Sequence, residues 1–146
     1  MNQMILKFLS RSENENFARN AVAAFALSLN PTLSELSDVK TAVSEAVTNC
    51  IVHGYNGREE GWITLECTVD GTQLHIRISD SGKGIGDVER ALTPFYTTLE
   101  DEERSGMGFT IMQTFMTDFS VQSEEGVGTT VIMSKDFGAR AEANAQ

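Results

Sequence analysis

Three polar side chains recur four residues apart in the first half of the chain: Glu45, Asn49 and His53. On a helix this spacing places them along one face. The carboxamide oxygen of Asn49 suits Mg²⁺, which takes oxygen ligands and keeps several waters. The carboxylate of Glu45, one turn away, can accept a proton from a hydroxyl nucleophile. The same pattern also describes an ordinary solvated helix face, so it does not by itself identify a site.

A glycine-rich segment, residues 80–86, follows a predicted strand and contains Gly82, Gly84 and Gly86. Glycines at alternate positions let a backbone approach a ligand closely and adopt positive φ. Asp80, at the end of the strand, can accept a hydrogen bond from an exocyclic amine such as N6 of adenine. The segment matches neither the P-loop nor the dinucleotide-binding motif. A surface turn is the alternative explanation.

A second glycine-rich segment lies directly before a predicted helix. It consists of Arg104, Ser105, Gly106, Met107 and Gly108. Glycines that lead into a helix N-terminus present free N–H groups, which suit a phosphate. The guanidinium of Arg104 adds donors that can offset charge on a γ-phosphate during its transfer. The alternative is a flexible turn with a solvated arginine.

Apolar periodicity predicts the elements that must position these residues. One helix is expected from a capping box at Ser12 and Glu15 to about Leu29, with a core stripe of Phe17, Ala21, Ala24, Phe25 and Leu29. A second is expected from a capping box at Thr32 and Glu35 to Gly54, with a core stripe of Leu36, Val39, Val43, Val47 and Cys50.

Alternation predicts strands at 62–69 and 74–78. A strand at 3–9 is predicted because the segment is low in turn formers and a polar break follows it. Residues 119–123 and 129–133 are predicted to form a closing hairpin around Gly126 and Gly128, with the hydroxyl of Thr129 where the last strand begins. Residues 81–108 carry mainly glycine, threonine and charge, with one short helical stretch at 87–92, and are typical of a functional lid. Antiparallel strands with helices on one face define an α+β fold.

Composition narrows the class of protein. The 146 residues include 11 basic and 21 acidic side chains, a formal net charge of −10. This balance argues against direct nucleic-acid binding, which needs a basic face. No apolar run reaches the ~18 residues of a membrane span, and two cysteines cannot form a disulfide framework. We therefore expect a cytoplasmic single domain over residues 1–135, followed by a polar tail at 136–146 that is disordered.

Taken together and in order, the four motifs resemble those of the GHKL ATPase superfamily, which includes gyrase-type topoisomerases, heat-shock chaperones and sensor histidine kinases. Glu45, Asn49 and His53-Gly54 resemble its N box, residues 80–86 its first glycine box, 104–109 its second and 128–129 its last. The match is closer still to the anti-sigma factor serine kinases of spore-forming bacteria, through residues 12–19, 43–49, 53–56 and 104–112.

The resemblance implies a two-layer sandwich of the Bergerat type, with ATP between sheet and helices under a lid at 87–107. It implies that Asn49 binds Mg²⁺, that Glu45 is the base and that Asp80 reads adenine. The first glycine box and residues Arg104 to Gly108 would hold the nucleotide, with Thr129 supporting the adenine pocket.

The resemblance also implies the partners. A homodimer in its ATP-bound form would hold a sigma factor, with Arg19 near the sigma-binding face. The same protein would phosphorylate a serine of an anti-anti-sigma factor and so release the sigma factor. No membrane or direct nucleic-acid contact is expected. Three alternatives remain: an ATP-switched binding module with little catalysis, a detached catalytic domain of a histidine kinase, and an acidic domain that binds no nucleotide.

Overall fold

The computed structural model describes residues 1–92 and 108–138. Within these ranges five strands form one sheet: β1 (Asn2–Leu9), β2 (Trp62–Asp70), β3 (Gln73–Asp80), β4 (Asp118–Glu124) and β5 (Gly128–Asp136). Their order is β1-β2-β3-β5-β4, and each neighbouring pair is antiparallel. The helices are α1 (Ser12–Phe25), α2 (Leu33–Asn49), α3 (Val88–Ala91) and α4 (Gly108–Phe115).

One face of the sheet packs against α1, α2 and α4, and the core lies between these two layers. Alternating residues of the central strands point into it and are fully buried, among them Ile63, Leu65, Leu74, Ile76 and Ile78. The alternation predicted for the strands and the α+β class with helices on one face are confirmed. No helix in the described ranges is long and apolar enough to cross a bilayer.

Helix α2 begins and packs as the sequence predicts. The Glu35 N–H donates to Thr32 Oγ1 (3.1 Å) and the Thr32 N–H donates to Glu35 Oε1 (2.8 Å), which completes the capping box. Val39, Val43 and Val47 of its predicted stripe are fully buried. This helix is therefore fixed in register against the sheet, and its polar face is fixed with it.

The predicted start and core stripe of α1 need correction. Its N-cap is Arg11, not Ser12, and no side-chain hydrogen bond caps the helix. The Glu15 carboxylate of the predicted capping box lies 3.3 Å from Arg19 Nη1 instead. Regular α-helix ends at Phe25, and a 3₁₀ turn continues to Leu29.

The fully buried stripe of α1 lies one position away from the predicted one. Ala18 and Val22 are at most 1% exposed, as is Ala26 in the following 3₁₀ turn, whereas Phe17 is 68% exposed. Phe25 and Leu29 of the predicted stripe are partly buried and pack against the core. The fully buried side chains of α2 include Ala42 and Ala46, so small residues are buried on both helices.

After Asn49 the chain widens into a π-helical turn, Cys50–Gly54. Single π-helical turns within α-helices are frequent at functional sites. Here the turn delivers the Gly54 carbonyl to the Lys83 N–H, which donates to it at 2.9 Å. The end of the α2 segment is thereby joined to the glycine-rich segment after β3.

The folded region extends past the predicted boundary at residue 135. Strand β5 continues to Asp136, the side chain of Phe137 is 2% exposed, and its N–H donates to the Thr72 carbonyl (2.9 Å). Residues 139–146 lie outside the described ranges, and the expected disordered tail stays a prediction for them.

Replacing Phe137 by alanine removes a buried aromatic ring and leaves a cavity. We expect Phe137→Ala to lower the free energy of unfolding by about 3–5 kcal/mol, measured by urea denaturation. Phe17→Ala makes the same chemical change at an exposed helical position and should cost less than about 1 kcal/mol. Equal losses in the two variants would contradict the burial of Phe137.

Candidate functional site

The predicted residues of α2 lie against the start of α4. A Cβ built on Gly108, the first residue of α4, would lie 3.2 Å from Asn49 Nδ2, 3.3 Å from Asn49 Oδ1 and 3.3 Å from Glu45 Oε2. The backbone at the α4 N-terminus therefore lies close to a carboxylate and a carboxamide. Any larger residue at position 108 would press on both side chains.

Glu45 is half-buried, and its environment favours the protonated form. Burial raises the pKa of the carboxyl above its ordinary value, and the nearby negative charge of Glu15 raises it further. Glu15 is itself paired with Arg19, whose Nη1 lies 3.3 Å from Glu15 Oε1. A carboxylate with a raised pKa is a stronger base than one in water.

An open groove of about 430 Å³ runs between α1 and α2 and reaches Glu45. Its walls carry basic, apolar and hydroxyl side chains, namely Arg19, Lys40, Leu33, Leu36 and Ser44. Leu33 is 87% exposed. Apart from Arg19 of α1, the lining residues within the described ranges belong to α2, so the groove follows that helix to Glu45.

Asp80 lies at the end of β3, on the face of the sheet that carries the core. Its carboxylate accepts a hydrogen bond from the Gly82 N–H (2.9 Å) and lies near the Thr129 backbone and the Cys50 thiol. Burial nevertheless raises the pKa of Asp80 above its ordinary value. The sheet thus holds a hydrogen-bond acceptor at one end of the core, and burial disfavours the ionised form of this acceptor.

The backbone approaches this carboxylate too closely to leave room for a side chain. A Cβ on Gly54 would lie 2.8 Å from Asp80 Oδ2, and a Cβ on Gly82 would overlap the Gly54 carbonyl. Gly84 combines a φ of +73° with close contact to the Glu124 carbonyl. Gly86 lies next to the Glu125 carboxylate. The segment is therefore held in a defined path between α2 and the β4–β5 turn.

Tyr55 connects β2 to the segment after β3, a role that was not identified from the sequence. Its hydroxyl accepts from the Ser81 N–H (2.7 Å) and donates to the Trp62 carbonyl (2.5 Å), while its side chain is almost fully buried. The ring also fills the space in front of Gly61. No local pattern marks this role, because the two backbone partners come from β2 and from the segment after β3.

Ser123 was also missed, although the sequence carried a signal for it. Alternation along β4 puts Phe119, Val121 and Ser123 on the core-facing side, so a hydroxyl occupies an inward position. Its Oγ lies 2.8 Å from Thr129 Oγ1. Thr129 in turn pairs with Asp80 in the β3–β5 register.

The structure thus brings Glu45, Asn49 and Gly108 together, and separately Asp80, Gly82 and Thr129. His53 lies in the π turn that connects the two groups. Arg104, Ser105, Gly106 and Met107, and most of the expected lid, lie outside the described residues. Within the described ranges no cluster of three or more His, Cys, Asp or Glu side chains forms a metal site.

Comparison with known proteins agrees with this geometry. The sequence profile of the family "Histidine kinase-like ATPase domain" matches residues 8–135. A solved structure of the RsbU and RsbW domains of a Mycobacterium tuberculosis protein shares the fold, with a TM-score of 0.67 and 15% identity. That match covers 93% of this chain and 32% of the other.

Curated relatives are much closer in sequence. The anti-sigma F factor of Thermoanaerobacter sp. (strain X514) is 54% identical over 138 residues, covering 94% of this chain and 96% of the relative. That of Caldanaerobacter subterraneus subsp. tengcongensis is 55% identical over 137 residues, covering 94% and 95%. That of Clostridium beijerinckii is 54% identical over 136 residues, covering 93% and 95%.

With a nucleotide-binding fold matched over most of its length and relatives of one name matched nearly end to end, the chain belongs to the anti-sigma F factors, within the histidine kinase-like (GHKL) ATPase family.

Proposed function

We propose that this anti-sigma factor is also a protein serine kinase, which transfers the γ-phosphoryl group of Mg-ATP to a serine of an anti-anti-sigma factor. The observation that carries the proposal is the contact of Glu45 and Asn49 with the first residue of α4. A general base, an oxygen ligand and a helix N-terminus are the groups that phosphoryl transfer requires in one place.

Glu45 acts as the base in this proposal. The serine hydroxyl loses its proton to Glu45 while its oxygen bonds to the γ-phosphorus. The bond from that phosphorus to the β–γ bridging oxygen breaks, and ADP leaves. The groove between α1 and α2 supports this role, since Glu45 is among the residues that line it.

Asn49 holds the magnesium ion in this proposal, and its donor chemistry fits. Mg²⁺ is usually held by one or two protein oxygens together with waters and substrate phosphates. A site of that kind does not need the three-ligand clusters that are absent from the described residues. When bound, the ion neutralises phosphate charge. Arg104, Ser105, Gly106, Met107 and Gly108 would contact the phosphates.

Asp80 and Thr129 read the base of the nucleotide, and Gly82, Gly84 and Gly86 allow the ligand close to the backbone. Support comes from the half-buried Asp80 carboxylate, whose remaining lone pairs suit an exocyclic amine. An N–H donor from adenine would stabilise the ionised form that burial disfavours.

The partners proposed are a sigma factor, an anti-anti-sigma factor and a second copy of this chain. The net charge of −10 favours a basic partner such as a DNA-binding factor. Arg19, beside the groove, is proposed to lie near the sigma-binding face. Since sigma factors act with RNA polymerase, this function places the protein in the cytoplasm.

Glu45→Gln keeps the shape of the side chain and removes its basicity. We expect phosphorylation of the acceptor serine to fall by about 10²–10⁴-fold, with ATP affinity within about twofold of wild type. Phosphate transfer is measured with radiolabelled ATP and affinity by calorimetry. Glu60→Gln, at an exposed loop position, serves as the control. Unchanged transfer in Glu45→Gln would rule out the base role and favour a binding module.

Asp80→Asn replaces one acceptor oxygen by an N–H donor. We expect ADP affinity to fall at least about tenfold, because a donor would then face the amino group of adenine. Asp70→Asn makes the same change at an exposed position at the end of β2 and should leave ADP binding unchanged. Undiminished binding by Asp80→Asn would refute the base-reading role.

In the absence of nucleotide, the Asp80→Asn variant should be more stable than the wild-type protein. Because burial raises the pKa of Asp80, the folded protein holds this proton more tightly than the unfolded chain. The ionised carboxylate therefore lowers stability above its folded pKa, and the penalty disappears below the unfolded value of about 3.9. We expect Asp80→Asn to raise the melting temperature at pH 7.5 by a margin that shrinks toward pH 4. A lower melting temperature at pH 7.5 would contradict this sign.

A further inference from the structure

Ser123 belongs to a row of polar residues that crosses the sheet at one end of the core. In the registers of β3, β5 and β4, Asp80 pairs with Thr129 and Thr129 pairs with Ser123. The row directly below is apolar, with Ile78 paired to Val131 and Val131 to Val121. All three polar residues therefore face the helix side, where the proposed nucleotide lies. Asp80 and Thr129 belong to the proposed adenine pocket, and Ser123 lies beside them in the same row.

The hydroxyl of Ser123 has three partners. It accepts from the Ile85 N–H at 2.7 Å and donates to the Gly128 carbonyl at 3.0 Å. It also lies 2.8 Å from Thr129 Oγ1, a contact in which either oxygen can supply the proton. A serine hydroxyl has one proton and two lone pairs. Since the carbonyl takes that proton, the Thr129 hydroxyl must donate to Ser123 for every group to be satisfied.

We propose that Ser123 is a positioning residue of the nucleotide site, which orients the Thr129 hydroxyl so that only its lone pairs face the base. The inference rests on the proposed nucleotide site and adds a determinant of base specificity to it. With the Thr129 proton directed at Ser123, the site presents acceptors from both Asp80 and Thr129. Such a site favours a purine with a 6-amino group over one with a 6-oxo group.

Ser123 also connects the base end of the site to the first glycine segment. Its hydrogen bond from the Ile85 N–H lies beside two further contacts between the glycine segment and the β4–β5 turn. The Gly126 N–H donates to the Lys83 carbonyl (2.6 Å), and Gly84 lies against the Glu124 carbonyl. Removing the Ser123 hydroxyl therefore leaves the Ile85 N–H without its acceptor, while the other two contacts remain.

The test compares ADP with inosine diphosphate, which differs in carrying a 6-oxo group and a proton on N1. Titration calorimetry on the full chain gives both dissociation constants. For Ser123→Ala we expect ADP binding to weaken by about tenfold, because the half-buried Ile85 N–H loses its acceptor, the Ser123 hydroxyl. The preference for ADP over inosine diphosphate should fall as well, because the freed Thr129 hydroxyl can rotate and donate to the 6-oxo group.

Two variants control for a merely structural effect. Ser123→Thr keeps the hydroxyl on a side chain that suits a strand and should restore both affinity and preference. Ser120→Ala removes an exposed hydroxyl from the same strand and should change neither. Melting temperatures of all variants show that the proteins titrated are folded.

The outcomes separate the inference from the proposed function. If wild type binds ADP and Ser123→Ala binds it equally well, the positioning role is wrong. If the variant loses affinity for both nucleotides by the same factor, the orienting of Thr129 is wrong. If wild type binds neither nucleotide, the proposed site itself fails and the inference fails with it. A lower preference that Ser123→Thr restores supports the proposal.

Discussion

The hydrogen bond from the Lys83 N–H to the Gly54 carbonyl is the contact on which the candidate site depends. It joins the end of the α2 segment to the glycine-rich segment after β3, two stretches some thirty residues apart in sequence. The approach requires glycine at both positions, because a Cβ on Gly54 would lie 2.8 Å from Asp80 Oδ2 and one on Gly82 would overlap the Gly54 carbonyl. The π turn that contains Gly54 directly follows the helix of Glu45 and Asn49, so this bond links that helix to the segment after Asp80.

The candidate site lies at the end of the sheet where polar side chains take the place of the apolar residues of the core. Core rows end at Ile78 and Val131, and the next row consists of the polar residues Asp80, Thr129 and Ser123. Burial raises the pKa of Asp80 and so disfavours its ionised form, and a ligand that donates a hydrogen bond would offset that cost. Natural binding sites commonly give up stability in this way. Tyr55 limits the cost by satisfying two backbone groups with a single hydroxyl.

Much of the fold could be predicted because short patterns determine it. The Thr32–Glu35 capping box and the alternation in β2 and β3 depend on neighbours in sequence, and both are confirmed. The predicted cap of α1 was wrong because Ser12 is already the first helical residue. Phe17 was wrongly placed in the core because the stripe chosen by helical spacing lies one position away from the buried Ala18 and Val22. The contacts of Tyr55 and Ser123 could not be predicted, since each depends on strand register or on a turn between distant elements.

The position of β5 in the sheet has a consequence for synthesis on the ribosome. This strand comes late in the chain, yet it lies between β3 and β4. Until it has emerged, β3 has no partner on one side, Asp80 lacks Thr129, and the space filled by Phe137 is open. Non-local pairing of this kind forms slowly and leaves strand edges exposed meanwhile. A nascent chain therefore lacks the pairing of Asp80 with Thr129 until β5 has joined the sheet.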